Sequence, residues 1–117
     1  MTKILLAEDD ETMVSLLKTL LGLEGFDVAS MDIAEKDLLS LVRHENPKVL
    51  LLDVHLPREN GMDILRALRE DDELKNTRVV MTSGMNLKDE CLASGADAFL
   101  LKPYMPDDLI KILRQYS

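Results

Sequence analysis

Apolar residues along this chain follow two patterns, short unbroken runs and longer stripes with members three or four residues apart. Lys3-Ile4-Leu5-Leu6-Ala7, Phe26 to Met31, Val49-Leu50-Leu51-Leu52, Val79-Val80-Met81-Thr82 and Phe99-Leu100-Leu101 are the runs. They are too short for helices and are bounded by turn-forming or charged residues, which predicts strands buried on both faces. Between the runs lie the stripes. Met13, Leu16, Leu17, Leu20 and Leu21 predict the buried face of a first helix that stops near Gly22 or Gly25. Ala34, Leu38, Leu41 and Val42 predict a second, with Asp32 as its N-cap, Glu35 as the capping-box partner and Asn46-Pro47 as its end. A third runs from Met62 to Arg69, begun by Asn60-Gly61, and the acidic run Glu70 to Glu73 predicts a solvated exit from it. A short helical piece around Leu87 to Ala93 precedes a turn at Gly95-Ala96-Asp97. Pro106 then opens a last helix with Leu109, Ile112, Leu113 and Tyr116 on one face.

Strand alternates with helix five times, the pattern of an α/β protein whose parallel sheet is covered on both sides. In such folds the functional crevice lies beyond the carboxyl ends of the strands, where strand order reverses. The chemistry-bearing residues fall at those ends: Glu8 and Asp9 after the first strand, Asp53 after the third, Ser83 after the fourth and Lys102 after the fifth.

Length and charge narrow the picture. A chain of 117 residues supports one core, so residues 1–117 read as one domain, and 46% apolar with 31% charged residues is ordinary for a chain that folds alone. A net charge of −8 with no basic patch argues against direct binding to nucleic acid or to an anionic membrane surface. The single cysteine excludes an internal disulfide, and no signal sequence or long apolar span is present, so the expected location is cytoplasmic.

The acids carry the most information. Two buried strands ending in carboxylates gather negative charge in a small space, which is costly unless a cation or a raised pKa relieves it. A divalent metal is therefore expected. Asp10 and Glu11 read as helix N-terminal charges, and Asp63 as a first-turn helix acid. Cys91 and the methionines read as packing residues, and His44 and His55, which lack metal-ligand spacing, as solvated.

With Glu8-Asp9, Asp53 followed by Leu56-Pro57 and Gly61, Ser83-Gly84 and Lys102-Pro103 all in place, the chain resembles the receiver domain of two-component response regulators over essentially its whole length. The resemblance implies a flavodoxin-like, doubly wound five-stranded parallel sheet of order 2-1-3-4-5. It implies that Asp53 is the phosphoacceptor, taking a phosphoryl group from a histidine kinase or phosphotransfer protein and becoming a 4-aspartylphosphate. Mg²⁺ would be held by Asp9 and Asp53, by Glu8 through water, and by the main-chain carbonyl of His55, a hard-oxygen set with retained waters. Lys102 would contact the phosphoryl oxygens, with a cis peptide to Pro103. Ser83 and Phe99 would form the switch that carries the change to the surface of helix 4, strand 5 and helix 5. Downstream partners would be another protein, an attached output domain or, after phosphorylation, a second copy of the chain. Enzyme activity would be confined to the protein's own phosphorylation and slow autodephosphorylation.

The chain also departs from the resemblance. Nineteen positions separate Ser83 from Lys102, about three fewer than usual, close to one helical turn, so helix 4 is expected to be short, displaced or irregular. Phe99 stands where Tyr is frequent. His55 and Met85 flank the expected phosphoryl site, and a bulky Met85 points to slower self-dephosphorylation. Two other functions compete: a small Mg²⁺-dependent phosphohydrolase of the haloacid-dehalogenase kind, using Asp9 and Glu11, and a receiver-like scaffold that works without phosphorylation. A dinucleotide-binding fold is excluded, because no G-x-G-x-x-G follows the first strand.

Overall fold

The computed structural model describes residues 1–31 and 37–116. Five strands, β1 (Lys3–Ala7), β2 (Asp27–Ser30), β3 (Val49–Asp53), β4 (Arg78–Ser83) and β5 (Ala98–Leu101), alternate with five helices. The helices are α1 (Glu11–Leu23), α2 (Leu38–Glu45), α3 (Gly61–Glu70), α4 (Lys88–Ala93) and α5 (Pro106–Gln115). All neighbouring strands pair in parallel, in the order β2-β1-β3-β4-β5.

The unbroken apolar runs have a direct structural cause. Successive strand residues point to opposite faces, and both faces are covered. Leu5, Ala7, Leu50, Leu52, Val79 and Met81 join Leu38 and Val42 of α2 and Ile64, Leu65 and Leu68 of α3 in one half of the core. Their alternate neighbours Ile4, Leu6, Val49, Leu51 and Val80 pack with Leu17 and Leu21 of α1 and Leu109 and Leu113 of α5 in the other.

Helix ends follow local rules. Asp10 caps α1 by accepting from the amides of Thr12 and Met13, with Glu11 in the first turn, as expected of both acids. Gly25, at φ 92°, turns the chain into β2. The described part of α2 begins at Leu38, where Asp37 accepts from the Ser40 amide at 3.2 Å and from its hydroxyl at 2.7 Å. The expected cap at Asp32, with Glu35 and Ala34, lies outside the described residues. At the other end of α2, Asn46 adopts the left-handed conformation at φ 47°.

The structure corrects several readings. Leu16, assigned to the buried stripe of α1, is 46% exposed, because only Leu17 and Leu21 of that helix face the sheet directly. Met85 and Met105 are exposed as well, and only Met81 among the methionines is fully buried. Asp71 is not part of a freely solvated exit: it pairs with Arg43 of α2 and accepts from the Glu73 amide at 2.9 Å. α4 has six residues, one of them buried, as the short Ser83-to-Lys102 interval requires. Among the described residues no helix is long and apolar enough to cross a membrane.

Candidate functional site

The sheet delivers its functional side chains to one rim by register. β1 and β3 pair with Ala7 opposite Leu52, so Glu8 and Asp53 leave the sheet side by side. Asp53 pairs with Thr82, and Ser83 with Leu101, which sets Ser83 and Lys102 on the next two strand ends. The Lys102 amide donates to the Ser83 carbonyl at 2.8 Å, fixing where the lysine side chain starts. The Lys102–Pro103 peptide is cis.

Glu8 is 5% exposed, Asp53 6% and Ser83 0%, whereas Asp9 is partly open to solvent. Buried carboxylates need partners, and both have them. The Lys102 ammonium donates to Glu8 Oε2 at 2.7 Å and to Asp53 Oδ2 at 2.8 Å. The second oxygen of Glu8 accepts from the Asp10 amide at 3.1 Å, and that of Asp53 from the His55 amide, also at 3.1 Å. Ser83 Oγ accepts from the Met85 amide at 3.0 Å. Carboxylate oxygens of Glu8, Asp9 and Asp53 lie within 4.8 Å of one another.

Three acids facing one ammonium leave an excess of negative charge, and the pKa directions reflect the strain. Burial pushes the Glu8 carboxyl above its usual range, only partly offset by the Lys102 hydrogen bond. Burial alone would lower Lys102, but the hydrogen bonds to Asp53 and Glu8 outweigh it and hold the ammonium above its ordinary value.

Gly61 completes the rim for a steric reason. A Cβ there would meet the Asp53 carbonyl oxygen at 2.4 Å and Val54 Cα at 2.8 Å. Only glycine lets the start of α3 press against the backbone that carries Asp53, an approach held by the Gly61 amide donating to the Val54 carbonyl at 2.8 Å. Phe99 is half-buried and packs with the core half that holds α3. His44 and His55 are exposed, and Cys91 is buried, as read from sequence.

Sequence reasoning missed Tyr104. Its phenol lies near Glu8, Lys102 and Asp53, and burial pushes its pKa up to about 12. The only signal was its position two residues after Lys102. Glu11, the second acid a dehalogenase-like site would need, is exposed in the first turn of α1.

The model of the response regulator receiver domain family matches residues 4–114. This chain is a response regulator receiver domain. The transcriptional regulatory protein CpxR of Escherichia coli K12 is 40% identical over 119 residues, covering 97% of this chain and 48% of that protein. The DNA-binding response regulator MtrA of Mycobacterium leprae is 35% identical over 114 residues, covering 96% of this chain and 49% of its own. The chain thus spans about half the length of the curated relatives it matches. Among solved structures, the Francisella response regulator 1452 receiver domain superposes with a TM-score of 0.89 at 31% identity, covering 99% of this chain and 96% of that one. The beryllofluoride-activated receiver domain of Klebsiella pneumoniae RstA superposes at 0.85 with 27% identity, covering 98% of this chain and 97% of that one. The receiver fold and membership in two-component signalling follow, and receiver domains typically bind Mg²⁺.

Proposed function

We propose that Asp53 is the phosphoacceptor of this receiver domain, and that Glu8 and Asp9 complete with it a Mg²⁺ site. The carrying observation is the meeting of three carboxylates from two strand ends with one lysine contacting two of them at hydrogen-bond distance. Hard, closely spaced oxygens suit Mg²⁺, and the His55 main-chain carbonyl, two residues past Asp53, is the fourth protein oxygen of the reading. When bound, the ion supplies positive charge that offsets the acids and the incoming phosphoryl oxygens.

The chain's own residues do the rest. Asp53 Oδ forms the new P–O bond while the donor's P–N bond breaks and the imidazole leaves. Lys102, already pointed at Asp53, turns to a phosphoryl oxygen once one is present. The Ser83 hydroxyl, placed on the neighbouring strand end, donates to a second, drawing the Ser83-Gly84-Met85 turn inward and giving Phe99 room to move. Positioning and charge compensation carry the step, because a carboxylate is a weak nucleophile.

The phosphodonor is a histidine kinase or phosphotransfer protein. The response passes to a downstream protein, an attached output domain or a second copy of the chain. CpxR and MtrA are transcriptional and DNA-binding regulators about twice as long; in this chain, with a net charge of −8, nucleic acid is left to another domain or partner. The expected setting is the cytoplasm. Autodephosphorylation is slow, with Met85 beside the phosphoryl site.

Beryllofluoride with Mg²⁺ tests this reading. Amide NMR shifts at Asp53, Ser83 to Met85 and Lys102 that vanish in Asp53→Asn are expected; the same shifts in the variant would overturn it. Turnover of a small phosphate ester that survives Asp53→Asn but is lost in Asp9→Asn would identify a phosphohydrolase instead. Equal partner affinity with and without beryllofluoride would identify a scaffold.

A further inference from the structure

Strand alternation puts the charged groups of the site on one side of the sheet. In rows of alternate residues Asp53 follows Leu51, and Glu8 and Lys102, one position past the ends of β1 and β5, follow Leu6 and Leu100. All three rows run through the core half covered by α1 and α5. Tyr104 packs against the same half, from the β5–α5 connection two residues beyond Lys102, and is half-buried. Its phenol thus stands on the side where the two buried acids and the lysine meet. Of the three charges, Glu8 acts on it most strongly.

The Tyr104 hydroxyl is a donor without an acceptor. Among the described residues it makes no hydrogen bond, whereas the hydroxyl of Tyr116, the other tyrosine, reaches the Asp97 carbonyl at 3.4 Å. Burial pushes its pKa up to about 12, so it keeps its proton and never becomes an anion beside Glu8 at physiological pH. Glu8 is the group that comes to need such a donor. Its two oxygens have one partner each, the Asp10 amide at 3.1 Å and the Lys102 ammonium at 2.7 Å, and the residue is 5% exposed. Lys102 also serves Asp53, at 2.8 Å. When the ammonium turns to a phosphoryl oxygen, Asp53 has gained a covalent partner, but Glu8 Oε2 is stranded. An unpaired oxygen on a buried carboxylate is costly.

We propose that Tyr104 is a positioning residue of the phosphotransfer site: its hydroxyl is the reserve donor for Glu8, taking the place of Lys102 at Oε2 when the ammonium turns away. Lys102 can then leave Glu8 without abandoning a bare buried charge. The ability of Tyr104 to replace Lys102 is a property of the unmodified protein; only the event that draws the lysine away rests on the phosphorylation reading. Phenylalanine would fill the same space and supply no donor, which separates this role from packing.

Lys102→Met withdraws the ammonium with no phosphoryl group or Mg²⁺ present. In wild type, Tyr104→Phe is expected to change the folding equilibrium constant, measured in urea at neutral pH, by less than about twofold, and in Lys102→Met to lower it by about tenfold. The Cζ carbon NMR signal of Tyr104 should move in Lys102→Met as the hydroxyl engages a carboxylate, with the signal of Tyr116 unmoved as the control. Equal effects of Tyr104→Phe in the two backgrounds, or a Tyr104 signal that keeps its wild-type position in Lys102→Met, overturns the proposal. If Lys102→Met does not fold, the wild-type complex with beryllofluoride and Mg²⁺ decides, its formation being read from the Asp53 amide: a moved Tyr104 signal in that complex supports the reserve donor, and an unmoved one overturns it. A shift in Lys102→Met with no beryllofluoride complex formed upholds the reserve donor and counts against the phosphorylation reading.

Discussion

The two ends of the sheet solve opposite problems of charge. At the carboxyl end, three acids, Glu8, Asp9 and Asp53, face one ammonium, and burial holds the Glu8 carboxyl above its usual range. At the amino end, one acid, Asp97, faces two guanidiniums and a backbone amide, and both of its oxygens accept from them. A surplus of like charge that folding alone would not retain marks the place where a cation and a phosphoryl group are expected to bind. A cluster without such a surplus marks a place that holds the fold. Both ends pair carboxylates with cations; the balance of charge, and the deeper burial of the acids at the carboxyl end, separate them.

The largest test of that contrast is steric. Gly61→Ala puts a methyl into the Asp53 carbonyl, and a loss of about 3 kcal/mol or more in urea-measured stability is expected, with a folded, fully stable variant as the contrary result. Arg69→Met breaks the amino end. Arg69 and its partner Asp97 are mostly shielded, with side-chain exposures of 22% and 18%, so a cost of about 2 kcal/mol is expected. Mg²⁺ is expected to act on the carboxyl end: each tenfold rise in concentration above its Kd should add about 1.4 kcal/mol, in wild type and in Arg69→Met but not in Asp9→Asn. Equal stabilisation of Asp9→Asn would remove that residue from the site.

The smallest effect has a sign fixed by linkage. The folded Glu8 carboxyl binds its proton more tightly than in the unfolded chain, so stability falls as pH rises past the ordinary value of 4.5 and levels off above the folded value. Without Mg²⁺, Glu8→Gln should therefore stabilise at neutral pH, by at most about 1 kcal/mol, with the gain disappearing below pH 4.5. A gain that grows on acidification would mean that Lys102, not burial, governs Glu8.

Strands were legible because burial on both faces leaves no polar alternation to misread: β1 was predicted with its observed bounds, and Asp53 was placed at a strand end by the run before it. Helix faces were less so. Leu16 fits the stripe of α1 as well as Leu17 does, yet Leu17 and Leu21 are the residues buried against the sheet and Leu16 is left in solvent. The rim residues could be named because each follows an apolar run. The Arg69–Asp97 pair could not, since its members are 28 positions apart and nothing local to either marks the other. The short α4 was visible as a count of residues between Ser83 and Lys102.

The most direct measurement is to treat the protein with a small-molecule phosphodonor and Mg²⁺, reduce the acyl phosphate with borohydride, which converts a phosphorylated aspartate to homoserine, and locate the product by peptide mass spectrometry. Homoserine at position 53 alone is the expected result. Reduction at Asp9 or at any other acid, or none while Mg²⁺ is bound, would contradict the assignment of Asp53 as the phosphoacceptor.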